Sequence, residues 1–131
     1  MNNSRCNDIL KTLDLRLPMD LMDEHIVSLA ANFKSISTLR FTSCYFMTGE
    51  SLNVLALSSS LSLEELSLRS CDAVEREPGL LVMLGQHLGS LRKLELSFNE
   101  WLYDKEVVSM LASCSGLVEL DLRGCKKRCL V

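Results

Sequence analysis

One apolar pattern recurs along the chain at nearly constant spacing, and it constrains the fold more than any other feature. The pattern is L-x-x-L-x-L-x-x-(C/N/P), and its five copies begin at Leu10, Ile36, Leu63, Leu91 and Leu117. Successive copies start 26, 27, 28 and 26 residues apart. A fixed period of this size indicates an array of structural repeats that stack on one another.

Each unit contains two different periodicities. Across x-L-x-L-x, apolar and polar residues alternate, which predicts a short strand with one buried face. The residues that follow carry apolar side chains at helical spacing, for example Leu29 with Phe33 and Met110 with Cys114. This spacing predicts a helix with one buried stripe, so each unit is predicted to run strand, turn, helix.

Polar residues mark the predicted starts of the helices. Asp23 and Asp104 both lie five residues after the C/N/P position, where a carboxylate can accept hydrogen bonds from first-turn amides. Gly49, preceded by Thr48, fills that place in the second unit. We therefore expect helices to begin at these residues.

The third unit is the longest and departs from this pattern. It carries Arg76-Glu77-Pro78 where the other units have their helix start. Proline is well tolerated at a first helical position, because its missing N–H has no partner there, and we place Pro78 at that position. The apolar stripe of the helix is then displaced to Leu81, Leu84 and Leu88.

The composition fits repeats that bury leucine against leucine. Leucine occurs 27 times in 131 residues, whereas the chain has 4 Phe, 2 Tyr and 1 Trp. A single unit has one apolar strand face and one apolar helix stripe, so it buries them only against its neighbours. Parallel strands about 4.8 Å apart are expected on the concave face of an α/β arc of five units, with the helices on its convex face. The predicted division is an N-terminal polar extension (1–9), a repeat domain (10–125) and a basic C-terminal tail (126–131).

The repeat resembles the cysteine-containing leucine-rich repeat of F-box/LRR proteins, the substrate receptors of SCF ubiquitin ligases. The closest matches are residues 44–49 and 99–104, and the resemblance covers residues 10–125. Pro18 and Asn99 stand at the cysteine position, and 28-residue repeats with Asn are similar to ribonuclease-inhibitor-like arrays, including those of NLR immune receptors. The resemblance implies a right-handed leucine-rich-repeat solenoid, a ribonuclease-inhibitor-like arc. It also implies a protein-binding role, either in substrate recognition for a ubiquitin ligase or as a regulatory or sensor protein.

Charge and motif content argue against several functions. With 14 basic and 17 acidic residues the net charge is −3, which is unfavourable for binding nucleic acid. The sequence has neither an apolar signal region at its N-terminus nor a run of 18 apolar residues, so we expect no membrane partner and a cytoplasmic or nuclear location. Catalytic serine, phosphate-loop and dinucleotide motifs are absent, and His25 and His87 fall in different predicted helices. We therefore expect no enzymatic activity and no cofactor.

The cysteines are expected to be structural. Cys44, Cys71 and Cys125 recur at one repeat position, in alternation with Asn99. This indicates a buried turn residue whose thiol or amide satisfies backbone groups near the strand end. A zinc site would need two close pairs, and only Cys125 and Cys129 are near one another in sequence, so we expect no bound metal.

Both ends of the chain contain segments that resemble signals. Residues 17–22 are similar to the L-P-x-E-L-L that opens an F-box, but the Val-Cys and Trp that should follow are missing. We therefore expect no embedded F-box and no docking to a Skp1-type adaptor by this chain alone. Lys126-Lys127-Arg128 fits either a nuclear-import element or a solvated tail. The fifth strand has no predicted helix after it, which suggests part of a longer protein or a surface that stacks on a partner.

Polar side chains are expected to line up across the concave face. One predicted column reads Asp14, Arg40, Ser67, Glu95, Asp121, and the next reads Arg16, Thr42, Arg69, Ser97, Arg123. Arginines on alternate strands, about 10 Å apart, either bind carboxylates or phosphates of an extended partner segment or pair with neighbouring acids, as Arg40 would with Asp14. We predict a protein partner on this face.

Three aromatic residues, Phe98, Trp101 and Tyr103, gather at the rim of the fourth unit. Trp101 either anchors a partner or packs on the next turn. The residues predicted to contact a partner are Arg16, Arg40, Arg69, Glu95, Asp121, Arg123, Phe98 and Trp101.

Overall fold

Strands and helices alternate along the chain, as the two periodicities predict. The structure is a computed structural model and describes residues 11–16, 22–32, 35–45 and 47–125. The strands in these ranges are β1 (Thr12–Arg16), β2 (Thr38–Thr42), β3 (Glu65–Arg69), β4 (Lys93–Glu95) and β5 (Glu119–Asp121). The helices are α1 (Asp23–Asn32), α2 (Gly49–Ser58), α3 (Asp72–Arg76), α4 (Leu80–His87) and α5 (Asp104–Ser113).

All five strands pair in parallel in one sheet, in the order of the sequence. The register matches equivalent repeat positions, so that Leu39 lies between Leu13 and Leu66, and Leu94 lies between Leu66 and Leu120. Each unit of 26 to 28 residues therefore advances the chain by one strand without a change of register. The predicted α/β class with parallel strands is confirmed.

β4 and β5 are shorter than the five-residue strands that the pattern predicts, because the chain turns at residues 97–98. Pairing between the two segments nevertheless continues beyond the strands. The Leu96 amide donates to the Asp121 carbonyl oxygen at 2.9 Å, and the Phe98 amide donates to the Arg123 carbonyl oxygen at 2.7 Å. The backbone groups at this end of the sheet thus remain bonded.

A left-handed residue follows the strand segment in four of the units. Ser43, Ser70, Phe98 and Gly124 have φ angles of 57°, 51°, 60° and 75°, and each directly precedes the cysteine or asparagine of its repeat. Small residues adopt this conformation more readily than bulky ones. The recurrent turn explains the serine or glycine at this position, a signal that the repeat pattern alone did not reveal.

The strand leucines and the apolar helix residues form one buried cluster. Leu68 and Leu96 in the strand segments and Ile26, Leu81 and Met110 in the helices all have 0% exposure. The helices therefore cover the face of the sheet that carries the leucines. This packing confirms the predicted aliphatic core.

The third unit differs from its prediction. The extra helix α3 occupies Asp72–Arg76, and α4 begins only at Leu80, after Gly79 with φ of 85°. Pro78 therefore lies two residues before α4, and its predicted place at the first helical position is wrong, because the turn between the two helices takes up the additional residues. The displaced stripe is buried as expected at Leu81, Leu84 and Leu88.

Carboxylates join the helix starts of neighbouring units. α1 begins at Asp23 as predicted, but the Asp23 carboxylate accepts hydrogen bonds from Thr48, at 2.7 Å from the amide and also from the hydroxyl. Burial alone would raise the pKa of Asp23, yet the hydrogen bonds from Thr48 and Ser51 outweigh it and hold that pKa below its ordinary value. Glu77 similarly accepts from the Gly49 amide at 2.8 Å, which ties the third unit to the second.

Several predictions concern residues outside the described ranges. These are the N-terminal extension, the basic tail with Lys126-Lys127-Arg128 and Cys129, Leu10 and Pro18 of the first unit, and the F-box-like residues 17–21. In the ranges that are described, every helix is too short to cross a bilayer.

Candidate interaction face of the sheet

The face of the sheet turned away from the helices carries polar side chains from all five units. We call it the open face and define it by three columns of positions, one before, one between and one after the paired apolar residues. The first column is Thr12, Thr38, Glu65, Lys93 and Glu119. The other two are the predicted columns that begin at Asp14 and Arg16; their alignment is confirmed wherever the strands pair, whereas Ser97 and Arg123 follow the ends of β4 and β5.

Ion pairs connect the first three strands. Arg40 of β2 lies 2.7 Å from Glu65 of β3 and 4.0 Å from Asp14 of β1. The predicted pair with Asp14 is thus confirmed, but the shorter contact is with Glu65, which donates no charge to either predicted column. Arg16 lies 3.1 Å from Asp14, and this hydrogen bond raises the pKa of the Arg16 guanidinium.

The second half of the open face has its own pairs. Arg69 lies 3.8 Å from Glu95, and Lys93 lies 3.7 Å from Glu119. Arg123 lies 2.8 Å from Asp121, and their hydrogen bonds lower the pKa of the Asp121 carboxyl and raise that of Arg123. Exposed pairs of this kind contribute little to stability, so their main effect is on what the surface can bind.

The open face is balanced in charge. Its three columns contain five basic residues, Arg16, Arg40, Arg69, Lys93 and Arg123, and five acidic residues, Asp14, Glu65, Glu95, Glu119 and Asp121. Each of the four arginines already contacts a carboxylate of the same face. An anion that approached the arginines would therefore compete with these carboxylates.

Two serines of the open face are buried rather than directed to solvent. Ser67 has 4% exposure and Ser97 has 0%, so the prediction that these columns point to water is wrong for them. Their hydroxyls both donate to the Glu95 carboxylate, at 3.0 Å from Ser67. Glu95 covers the serines and is fixed by them, so it is part of a bonded network in the middle of the face.

Phe98 presents an aromatic ring at the edge of the open face. It is 45% exposed although its φ is 60°, an uncommon conformation for a bulky residue. The Arg69 guanidinium lies 4.6 Å from the ring centroid, within the range of a cation–π contact. On its other side, a Cβ on Gly124 would stand 2.5 Å from the ring, so the ring occupies space that only glycine leaves.

Trp101 lies apart from the open face. It is 60% exposed, and its amide donates to Glu75 of α3 at 3.0 Å. Tyr103, 41% exposed, directly precedes α5. The structure therefore places seven of the eight predicted contact residues on or beside the open face and puts Trp101 next to the helix α3.

The cysteine position forms a line of hydrogen bonds at the ends of the strands. The thiols of Cys44, Cys71 and Cys125 donate to carbonyl oxygens of the preceding unit, on Leu15 at 3.7 Å, Phe41 at 3.4 Å and Leu96 at 3.1 Å. All three cysteines are buried. The predicted structural role of these residues is confirmed.

Asn99 takes the same place with three hydrogen bonds. Its Nδ2 donates to the carbonyl oxygens of Leu68 and Leu96, both at 2.8 Å, and its Oδ1 accepts from the Cys71 amide at 3.0 Å. The hydrogen bond between Cys71 and Cys44, together with burial, raises the pKa of the Cys71 thiol, and the same bond lowers that of Cys44. In the described ranges, no three His, Cys, Asp or Glu side chains are grouped to hold a metal ion.

No protein-family model matches the chain. Sequence reasoning found most of the open face but missed Glu65, Lys93 and Glu119, because their column precedes the paired apolar residues and was not considered. It also did not foresee the left-handed backbone of Phe98. The signal for that feature was present, since Ser43 and Ser70 occupy the equivalent position.

Proposed function

We propose that the chain is a leucine-rich-repeat module that binds another protein through the open face and catalyses no reaction. In this proposal the parallel sheet is the concave side of a right-handed solenoid, and the helices form its convex side. The uniform register supports the proposal, because it repeats one arrangement of side chains from β1 to β5. Arrays of this kind offer extended concave binding surfaces.

The observation that carries the proposal is the placement of Phe98. Backbone strain of the order of 1–3 kcal/mol persists only where surrounding contacts enforce it, and such residues concentrate at functional sites. Phe98 keeps a half-exposed ring in a left-handed conformation, between the Arg69 guanidinium and the backbone of Gly124. A serine would meet the conformational need, as at Ser43 and Ser70, so the ring itself is the feature that binding explains.

The charge pattern indicates what kind of partner fits. The balanced ion pairs on the open face favour a protein surface of mixed charge over a single phosphate or an acidic peptide, because each arginine contacts a carboxylate. An apolar side chain over Phe98 would complete the contact. Aromatic and arginine residues are the types that dominate protein interfaces.

The resemblance of the repeats supports a more specific role. Cysteine at residues 44, 71 and 125 favours a substrate-recognition segment of an F-box/LRR-type ubiquitin ligase receptor, which would act in the cytoplasm or nucleus. Asn99, with its three backbone hydrogen bonds, favours the alternative of a ribonuclease-inhibitor-like or NLR-like regulatory protein. Both roles use the same open face.

The binding role can be tested with two matched substitutions. Phe98→Ser removes the ring and installs the residue that two other units use at this position, whereas Tyr45→Ser removes another aromatic side chain, 52% exposed, outside the open face. Proteins that bind the purified chain are identified by cross-linking and mass spectrometry. We expect partners that are lost with Phe98→Ser and kept with Tyr45→Ser, and an unchanged set of partners with both variants would contradict the proposal.

The ligase role requires a separate experiment. The chain is tested for co-purification with Skp1 and cullin, alone and joined to an F-box segment. We expect association only for the joined form, together with ubiquitin transfer to the partner that Phe98→Ser loses. If the joined form assembles but the bound partner is not modified, the regulatory alternative is favoured.

A further inference from the structure

The irregular third unit creates a cleft beside the helices, separate from the open face. Its volume is 690 Å³, and it lies between the segment that contains α3 and the start of α5. Val74, Pro78 and Tyr103 form mainly apolar walls. The cleft exists because the third unit has two more residues than its shortest neighbours and uses them for a second helix and a turn.

Three carboxylates line the same cleft and are held in place by backbone amides. Glu75 accepts from the Trp101 amide at 3.0 Å, Glu77 from the Gly49 amide at 2.8 Å and Glu106 from the Gly79 amide at 2.9 Å. Each bond uses one oxygen of its carboxylate, and each carboxylate has a second oxygen that can accept from a ligand. Lys105 is the one basic residue of the lining, so the lining has a net charge of −2.

The lining chemistry identifies the occupant. A long basic side chain buries its methylene groups against apolar walls and keeps its charge at the polar end. A guanidinium has several donors in a fixed plane, forms charge-assisted hydrogen bonds with carboxylates and stacks on aromatic rings such as that of Tyr103. We propose that this cleft binds an arginine side chain on an exposed segment of a partner protein.

This second contact is independent of the open face. Trp101 is 60% exposed, and its amide is bonded to Glu75 in the wall of the cleft, so apolar residues that flank the bound arginine have an aromatic surface nearby. The predicted role of Trp101 as an anchor belongs to this site rather than to the sheet.

The test uses a small probe and the complete chain. A ¹⁵N-labelled sample is titrated with the peptide acetyl-Leu-Arg-Leu-amide, and with the same peptide containing citrulline, which has the shape of arginine without its charge. We expect saturable shifts at the amides of Glu75, Tyr103 and Glu106 with the arginine peptide, and affinity about tenfold weaker or less with citrulline. Equal affinity for the two peptides, or shifts on β3 to β5 instead, would overturn the proposal.

Variants make the assignment specific. Glu75→Gln combined with Glu106→Gln keeps the acceptors for the two amides but removes both charges, and should weaken the arginine peptide about tenfold or more. Glu119→Gln makes the same change at a carboxylate on the open face and should leave affinity unchanged. If the double variant binds as well as the unmodified chain, the cleft is not the site.

Two further readings remain decisive if the double variant folds poorly. Affinity of the unmodified chain for the arginine peptide should fall as salt is raised from 50 to 500 mM, since screening weakens exposed charge pairs; no salt dependence contradicts the proposal. The chain's own Lys126-Lys127-Arg128 is the competing occupant. If replacing these three residues with serine strengthens peptide binding about tenfold, the cleft serves that segment rather than a partner.

Discussion

Asn99 offers the sharpest test of how the units are joined. Its side chain makes three hydrogen bonds to buried backbone groups, to Leu68, Leu96 and Cys71, at 2.8, 2.8 and 3.0 Å. Each such bond contributes about 0.5–1.5 kcal/mol, and a buried group left without a partner raises the cost. We therefore expect Asn99→Ala to lower the free energy of unfolding by about 2–4 kcal/mol.

Asn99→Cys separates hydrogen bonding from side-chain volume. A thiol at this position can donate to a carbonyl oxygen of the preceding unit, as Cys71 and Cys125 do at 3.4 and 3.1 Å. A sulfur accepts only weakly from an amide, so the Cys71 amide loses most of its bond. We expect this variant to recover about 1–2 kcal/mol of the loss seen with alanine, because one of the three bonds is restored.

Urea unfolding followed by far-ultraviolet circular dichroism measures both variants, with the slope compared to confirm a common transition. Asn32→Ala is the control, because Asn32 is exposed at the end of α1 and has one hydrogen bond, to the Ser28 carbonyl oxygen; its effect should stay within about 0.5 kcal/mol. The reasoning is refuted if Asn99→Ala is as mild as the control, or if cysteine is no better than alanine.

Three other substitutions test the packing, the helix starts and the turn. Leu94→Ala should cost about 2–5 kcal/mol because Leu94 is 2% exposed, whereas Leu120→Ala, at a residue 39% exposed, should cost less than about 2 kcal/mol; thermal and urea melts measure both. Asp23→Asn should destabilise at pH 7, and the difference from the unmodified chain should shrink below about pH 4, because a lowered folded-state pKa stabilises only above the unfolded value. Gly124→Ala should cost about 1–3 kcal/mol, since φ is 75° and the added Cβ would lie 2.5 Å from a neighbouring aromatic ring.

Each of these has an opposing result. Equal losses for Leu94→Ala and Leu120→Ala would mean that burial does not decrease toward β5. A pH-independent effect of Asp23→Asn would mean that the charge of Asp23 is not what Thr48 binds. An unchanged melting temperature for Gly124→Ala would remove the reason given for the position of the Phe98 ring.

The regular parts of the fold followed from the sequence because one physical pattern fixes them. Alternation of apolar residues such as Leu66 and Leu68 determines which strand face is buried, and the constant period aligns Leu66 with Leu39 and Leu94. The same regularity predicted Cys71 as a buried hydrogen-bonding residue. Local rules were sufficient wherever every unit repeats the same contacts.

Predictions were less successful where contacts cross between units. Asp23 sits at a helix start but bonds to Thr48 of the next unit, a choice that depends on how adjacent helices stack. Ser67 was expected to face solvent, and it is buried because Glu95 of the next strand bonds across it. Pro78 was misplaced because spacing does not reveal how two additional residues divide between a helix and a turn.

The candidate contact residues show the same division. The column positions of Arg40 and Asp121 could be predicted, because register follows from the repeat. The contact of Arg40 with Glu65 depends on side-chain conformations on neighbouring strands, which the pattern does not specify. Trp101 was grouped with Phe98 by proximity in sequence, but the left-handed turn at Phe98 and the next turn direct them to different surfaces.

Cross-strand nuclear Overhauser effects test the central claim most directly, since the open face exists only if the units pair in parallel and in register. The account predicts contacts of Thr38 with Glu65, Leu66 with Leu94, and Leu94 with Leu120. Contacts of Thr38 with Arg69 instead would indicate antiparallel pairing of β2 and β3. That result would remove both the open face and the binding role proposed for it.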